Sequence, residues 1–167
     1  YAAKLRVEYY RTKSKSMGEN VTISKGVNII NHQYITVGND VQISDGCTLI
    51  ARGENGITLG DNVRLQHRVY LDTERSTEGY INIGRGCYIG TGTTLFGHRG
   101  LEIGTDCLLA QNITLTPYSH IFDDPDRIIY SQGGHCEKVT IGNDVYIGMG
   151  CCVMYSGNIG EGSVIGA

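Results

Sequence analysis

Several features of ordinary chains are scarce in this 167-residue sequence, which has no tryptophan, 2 prolines and 2 phenylalanines. Its longest apolar runs are only a few residues, whereas a transmembrane helix needs about 20, and no signal-peptide pattern opens the chain. The net charge is −3 and the basic residues are scattered, so no nucleic-acid patch or membrane-binding face is expected. The length suits one domain and is too short for two comfortable ones.

Glycine is the abundant residue, with 24 copies among many valines and isoleucines. This composition predicts short strands separated by tight turns.

The cysteines do not have the spacing of a disulfide or zinc framework. Four of the six, Cys47, Cys87, Cys107 and Cys151, come two residues before an aliphatic repeat position. A small inward side chain is expected there, and a free cysteine behaves as a small hydrophobe. Since neither CxxC nor a zinc-ligand spacing occurs, we predict reduced, structural thiols and a reducing, cytoplasmic compartment.

An aliphatic residue returns every six positions from residue 21 onward, and such a hexapeptide period indicates a β-helix. The spacing exceeds six only after the third member of a group of three, so every insertion leaves one corner of a three-sided coil of about 18 residues. The aliphatic anchors are Ile23, Ile29, Val37, Ile43, Leu49, Leu59, Leu65, Leu71, Ile83, Ile89, Leu95, Ile103, Leu109, Leu115, Ile141, Ile147, Val153, Ile159 and Ile165.

Glycines mark a second corner. The first anchor of each complete coil is followed by Gly38, Gly60, Gly84, Gly104, Gly142 or Gly160. Two residues further on stand Asp40, Asn62, Gly86, Asp106, Asp144 and Gly162. These residue types tolerate positive φ, so this corner is predicted to be a short standard turn.

The repeat divides the chain into two predicted parts. Residues 1–20 are expected to form a helical cap, with apolar positions at Ala2, Leu5, Tyr9 and Tyr10. Residues 21–167 form the β-helix domain, with one long insertion at 116–138. Because the chain begins at Tyr1 rather than Met, we expect upstream residues to be missing.

Two stretches carry a family resemblance. The segments VTIGNDVYIGMGCCV (139–153) and NIGEGSVIGA (158–167) resemble the hexapeptide-repeat acyltransferases, whose fold is an all-β left-handed parallel β-helix. TPYSHIFDDPDR, followed by SQGG and KVTIG, is similar to the maltose/galactoside O-acetyltransferase group. It is closer still to the O-acetyltransferases of bacterial surface polysaccharides.

The resemblance implies an acetyl-CoA-dependent O-acetyltransferase that modifies a sugar hydroxyl, in surface polysaccharide or O-antigen biosynthesis. It also implies a homotrimer, with each active site between the insertion of one subunit and the coils of its neighbour.

The same resemblance assigns roles to individual residues. His120 follows the NxTL strand at 112–115 and corresponds to the general base, a role that suits the near-neutral pKa of histidine. The turn at Gly148 and Met149 supplies an oxyanion N–H, and CoA lies near Met149 and Ala167. The family pattern continues through another coil, so we expect the CoA site to be incomplete and the chain truncated. No GxSxG nucleophile motif occurs, which favours direct transfer.

His98, Asn112 and Asp123 are the candidate substrate-binding residues. His98 falls where the sugar acetyltransferases place an acidic residue, which implies a different acceptor. Asp123 and Asp124 either orient His120 or belong to a turn. Asn112, with Gln111, either lines the pocket or forms a structural corner.

Two other functions compete. A γ-class carbonic anhydrase shares the fold and binds zinc through three histidines, but it needs a histidine pair about five residues apart that His98, His120 and His135 do not provide. A non-catalytic scaffold would not need the long insertion. His32, His67 and His135 are interpreted as structural or solvated residues.

Overall fold

The computed structural model describes residues 2–73 and 78–167, and within these ranges it contains one α-helix and 22 short strands. The helix α1 spans Ala2–Arg11, and 3₁₀ turns occupy His32–Tyr34 and Ile129–Gln132. The strands in chain order are β1 (Ser16–Met17), β2 (Thr22–Ile23), β3 (Asn28–Ile30), β4 (Ile35–Val37), β5 (Gln42–Ile43), β6 (Thr48–Ile50), β7 (Ile57–Leu59), β8 (Arg64–Leu65), β9 (Tyr70–Asp72), β10 (Ile81–Ile83), β11 (Tyr88–Ile89), β12 (Thr94–Phe96), β13 (Leu101–Ile103), β14 (Leu108–Leu109), β15 (Thr114–Leu115), β16 (Tyr118–His120), β17 (Gly134–Cys136), β18 (Val139–Ile141), β19 (Tyr146–Ile147), β20 (Cys152–Val153), β21 (Asn158–Ile159) and β22 (Val164–Ile165).

Three parallel sheets form the walls of a solenoid. Sheet 1 contains β1, β4, β7, β10, β13, β18 and β21; sheet 2 contains β2, β5, β8, β11, β14, β19 and β22; sheet 3 contains β3, β6, β9, β12, β15 and β20. Each strand pairs in register with its equivalent in the next coil, as Ile83 does with Leu59 and Ile103. The predicted fold class, an all-β parallel β-solenoid, is confirmed, and its hexapeptide register is consistent with a left-handed coil.

The aliphatic anchors form the core. Every anchor from Ile23 to Ile147 is buried, and those in consecutive coils stack on one another. Burial of one such side chain contributes about 1.5–3 kcal/mol, so the stack is the main source of stability.

The predicted inward cysteines are confirmed for Cys47, Cys87 and Cys107, which are buried, while Cys151 is partly exposed. Their thiols donate to backbone carbonyls: the Sγ–O distance is 2.9 Å from Cys47 to Gln66 and 3.0 Å from Cys87 to Gly104. Desolvation raises the pKa of the Cys47 thiol above its ordinary value, so this group is an inert packing residue.

The corner between sheets 1 and 2 is the standard turn that the sequence predicts. Asp40, Asn62 and Asp106 have φ of 57°, 60° and 58°, in the left-handed region. The preceding glycines serve another purpose, because coils touch there. A Cβ on Gly104 would lie 2.6 Å from the carbonyl carbon of Gly142 in the next coil.

The insertions leave the corner between sheets 3 and 1, as predicted. They include residues 51–56, 97–100 and 116–138. The excursion after β9 contains residues 74–77, which lie outside the described ranges.

Helix α1 covers the first coil, and of the four apolar positions noted in the sequence Tyr10 packs against the core. Leu5 and Tyr9 are exposed, whereas Val7 and Tyr10 pack against the core. Arg6 Nη1 donates to the Ile23 carbonyl at 2.8 Å, so the helix also satisfies strand-edge acceptors. Across the described residues, no helix has the length and apolar character that crossing a membrane requires.

Candidate functional site

The 116–138 insertion forms a small antiparallel hairpin from β16 and β17, joined through the 3₁₀ turn. Tyr118 pairs with Cys136, Ser119 with His135, and His120 with Gly134. Because side chains alternate along a strand, Tyr118 and His120 share one face, and His135 lies on the other. The side chains of His120 and His135 therefore point to opposite faces of the hairpin.

His120 is exposed, and its ring is held by Tyr118. The Tyr118 hydroxyl lies 3.4 Å from His120 Nδ1, and the two rings meet edge to face with centroids 5.0 Å apart. Among the described residues, Nε2 of this exposed side chain has no hydrogen-bond partner. The sequence interpretation missed Tyr118, although its position two residues before His120 in a strand-like segment was a usable signal.

His98 lies at the same corner one coil earlier, as predicted, and stacks on the Tyr118 ring. The two ring centroids are 5.2 Å apart, with an interplanar angle of 17°. The rings of His98 and His120 therefore both contact Tyr118.

An aromatic row continues from His98 toward earlier coils. Phe96 lies 5.8 Å from His98 and 6.1 Å from Tyr70 between ring centroids. The Tyr70 hydroxyl donates at 2.9 Å to the buried carboxylate of Asp72, which also accepts two bonds from Arg52 at 3.0 and 3.1 Å. Through the contact of Tyr118 with His98, the insertion is therefore joined to a row of side chains that are held by ring packing and hydrogen bonds.

Neither candidate acid is hydrogen-bonded to His120 among the described residues. The Asp124 carboxylate accepts the Asp126 N–H at 3.0 Å, and the Asp124 backbone bonds in both directions to the Gln132 amide at 3.0–3.1 Å. This is turn chemistry, the second of the two roles considered for these acids. Asp123 is exposed beside it.

The tip of the insertion is apolar and exposed. Tyr130 is 87% exposed and Ile128 79%, and Phe122 and Ile129 are exposed beside them. A run of large apolar side chains in water marks an interaction surface more often than chance.

The candidate cofactor residues form a second group at the corner between sheets 2 and 3. Gly148 packs against the next coil so closely that a Cβ on it would lie 2.6 Å from the Ala167 nitrogen. Met149 is 55% exposed beside them. The adjacent Gly150 N–H donates to the Gln111 carbonyl at 3.0 Å, which fixes this turn on the preceding coil.

Asn112 belongs to this second group rather than to the insertion. Its φ is 56°, and it occupies the same left-handed corner position as Arg68 and Gly92. Within one chain, therefore, Asn112, Met149 and Ala167 lie at one end of the sheet-3 strands, and His98 and His120 at the other.

No three histidine, cysteine, aspartate or glutamate side chains converge as metal ligands in ranges 2–73 and 78–167.

The three-sided parallel solenoid of hexapeptide repeats defines the class of protein, and comparison with known sequences gives the family. The sequence-family model described as the hexapeptide repeat of succinyl-transferase matches residues 80–117 and 138–167. The chain is 32% identical to galactoside O-acetyltransferase of Escherichia coli K12 over 112 residues, which are 66% of this chain and 51% of that protein. The matched repeats are those of the hexapeptide-repeat acyltransferases, and the chain is similar to members of that family.

Two further relatives extend the comparison. A dTDP-4-amino-4,6-dideoxy-D-glucose acyltransferase of Escherichia coli is 28% identical over 153 residues, covering 92% of this chain and 69% of that protein. A solved structure of AntD, an N-acyltransferase from Bacillus cereus, aligns with a TM-score of 0.63 at 23% identity over 97% of this chain and 75% of that one. This last likeness concerns the fold alone. The chain spans about half the length of the galactoside enzyme.

Proposed function

We propose that this chain is an acetyl-CoA-dependent O-acetyltransferase that acetylates a sugar hydroxyl, in the synthesis of a surface polysaccharide or O-antigen. The observation that carries the proposal is the exposed imidazole of His120, held at Nδ1 by Tyr118 and free at Nε2. A base is what a hydroxyl acceptor needs, because an alcohol is a weak nucleophile until its proton is removed.

The proposed reaction is a direct transfer. His120 Nε2 removes the proton from the sugar hydroxyl as its oxygen bonds to the thioester carbonyl carbon. The tetrahedral oxyanion then collapses, the carbon–sulfur bond breaks, and the CoA thiolate takes the proton from the imidazolium. The products are an O-acetyl sugar and CoA, with the histidine returned to its neutral state.

Gly148, Met149 and Ala167 are the proposed cofactor contacts. The close approach of Gly148 to Ala167 leaves no room for a side chain between the two coils. The Gly148 N–H donates to the Ile165 carbonyl at 2.8 Å, so in this proposal the Met149 N–H stabilises the oxyanion. His98 contacts the sugar beside His120, and Asp123 and Asn112 are the further proposed substrate contacts.

The two groups of residues lie at opposite ends of the sheet-3 strands within one chain. This separation supports a homotrimer in which one chain supplies His120 and its neighbour supplies the cofactor corner. Two exposed apolar surfaces are available for such a contact. One is the insertion tip; the other is an in-register column of Leu108, Tyr146 and Val164 on the outer face of sheet 2. The six free cysteines favour a reducing compartment.

The test measures acetyl transfer from labelled acetyl-CoA to a panel of sugar acceptors, with mass spectrometry of the products. His120→Ala is expected to lower kcat by about 10²–10⁴-fold, the usual contribution of a general base. His135→Ala is the matched control, since His135 lies in the same hairpin on the opposite face. Unchanged turnover in His120→Ala, or an equal loss in both variants, would contradict the assignment.

An amino sugar is a second candidate acceptor, because the relative that aligns over 92% of this chain is named for an amino-sugar substrate. A sugar amine is partly unprotonated near neutral pH and needs less help from a base than a hydroxyl does. The acceptor panel therefore includes a dTDP-linked 4-amino sugar. Transfer to the amine alone, with little dependence on His120, would replace O-acetylation by N-acylation.

A further inference from the structure

We infer that Tyr118 is a positioning residue for His120, with its hydroxyl fixing both the orientation and the tautomer of the imidazole. The inference rests on the proposed role of His120 and goes beyond it, because it assigns the task that an acid performs in many histidine-dependent sites to a neutral phenol.

Three contacts fix the Tyr118 ring. His98 from the preceding coil stacks on it at 5.2 Å, and His120 meets it edge to face at 5.0 Å. On the partner strand, a Cβ at Gly134 would overlap the end of the Tyr118 ring. The missing side chain at Gly134 thus gives the phenol its space, and the hydroxyl is delivered to His120 Nδ1.

The direction of the Tyr118–His120 hydrogen bond decides which ring nitrogen is basic. A neutral imidazole carries one proton, and the nitrogen that keeps it is set by the bond that the nitrogen makes. If Nδ1–H donates to the Tyr118 oxygen, Nε2 keeps its lone pair and is the basic nitrogen. The Asp124 carboxylate is committed to the Asp126 N–H, and Asp123 has no bond to the ring among the described residues. The proposed role of His120 requires a basic Nε2, and this requirement assigns Nδ1–H as the donor and the Tyr118 oxygen as the acceptor.

The decisive readout does not depend on turnover. Long-range ¹⁵N–¹H spectra of histidine side chains report which ring nitrogen is protonated, and the His120 signals are assigned by their absence in His120→Ala. The wild type is expected to show protonated Nδ1 and basic Nε2. Tyr118→Phe keeps the ring and its stack on His98 and removes only the hydroxyl, so the His120 signals are expected to move toward the Nε2–H form.

Two further variants complete the experiment. Gly134→Ala keeps the hydroxyl but displaces the ring, and it is expected to give the same spectral change. Tyr155→Phe is the matched control, because Tyr155 stacks on the other insertion histidine, His135, at 5.9 Å. In acetyl transfer, Tyr118→Phe is expected to lower kcat about three- to tenfold with KM unchanged, the range of one neutral hydrogen bond; Tyr155→Phe leaves kcat unchanged.

The positioning role of Tyr118 and the proposed function of the protein are overturned by different results. A wild-type His120 spectrum in Tyr118→Phe overturns the positioning role, whatever the activity. Full activity in His120→Ala overturns the proposed function, while a tautomer change in Tyr118→Phe would still establish that the hydroxyl sets the state of the ring.

Discussion

At the scale of single residues, the solenoid depends on two kinds of glycine that look alike in the sequence. Gly104 has an ordinary φ and is required because the neighbouring coil touches its Cα. Gly26 has a φ of 68° and has only ordinary contacts around its missing side chain. The first position excludes every side chain, whereas the second excludes only those that resist a left-handed backbone.

This difference predicts unequal losses of stability for two glycine substitutions. Gly104→Ala is expected to lower the free energy of unfolding by about 2–3 kcal/mol, because its Cβ would force two packed corners apart. Gly26→Asn is expected to cost less than about 1 kcal/mol, since asparagine adopts this backbone readily. Asn20 and Asn62 already do so in this chain. Urea denaturation measures both, and equal losses would contradict the contact explanation.

At the scale of elements, the N-terminal helix closes the open edge of the first coil through its arginines. Arg11 Nη1 donates to the carbonyls of Met17 and Gly18, each at 2.9 Å. These carbonyls belong to the first strand of sheet 1 and its turn, which have no earlier coil to pair with. The helix thus replaces the hydrogen bonds of a coil with side-chain donors.

Replacing Arg11 is therefore expected to destabilise the first coils. Arg11→Met keeps a long side chain but leaves two edge carbonyls without their charged donor, at a cost of about 1–3 kcal/mol. Lys4→Met is the control, because Lys4 is an exposed residue of the same helix. Urea midpoints compare the variants, and an Arg11→Met midpoint equal to that of the control would show that packing alone holds the helix.

The elements also show where sequence reasoning ends. The solenoid could be predicted because each anchor repeats locally, and the left-handed corners at Asp40 and Asn62 follow from residue type. The helix face was not predictable from apolarity alone, since Leu5 and Tyr9 are exposed while Val7 and Tyr10 pack against the core. Nor was the β16–β17 hairpin, because pairing of Tyr118 with Cys136 is non-local and involves strands of three residues.

The candidate site was only partly readable for a related reason. The corner that bears His98 and His120 follows from the spacing of the anchors. Asn112 was predicted to contact the substrate, with a structural corner as the alternative, and within one chain a strand of sheet 3 separates it from His120. Its place in the column of left-handed residues with Gly92 and Arg68 was the signal for a structural corner.

At the scale of the whole molecule, the distance between the two groups of candidate residues within one chain is the main argument for assembly. Apolar side chains at the insertion tip lie in water, as do Leu108 and Val164 on sheet 2. Contact between copies would bury both surfaces and bring a histidine to a cofactor corner.

Light scattering coupled to size exclusion is expected to give three times the 18.2 kDa mass of one chain. Placing acids at the apolar tip, as Ile129→Asp with Tyr130→Asp, is expected to shift the mass toward the monomer and abolish transfer, because a buried unpaired charge is costly. Lys25→Asp, on an exposed side chain outside the insertion, is the control. A monomeric wild type, or a double variant with unchanged mass, would contradict the assembly.

The single corner used by all the insertions has a consequence for how such a protein can change over generations. Leu95 and Leu115 stack in register before their excursions, and Leu101 and Val139 stack after them. The points of departure and return therefore superimpose from coil to coil. A segment gained, lost or exchanged there leaves the stacked anchors in place, so selection can change the residues presented at this corner through insertions and deletions while the solenoid is inherited.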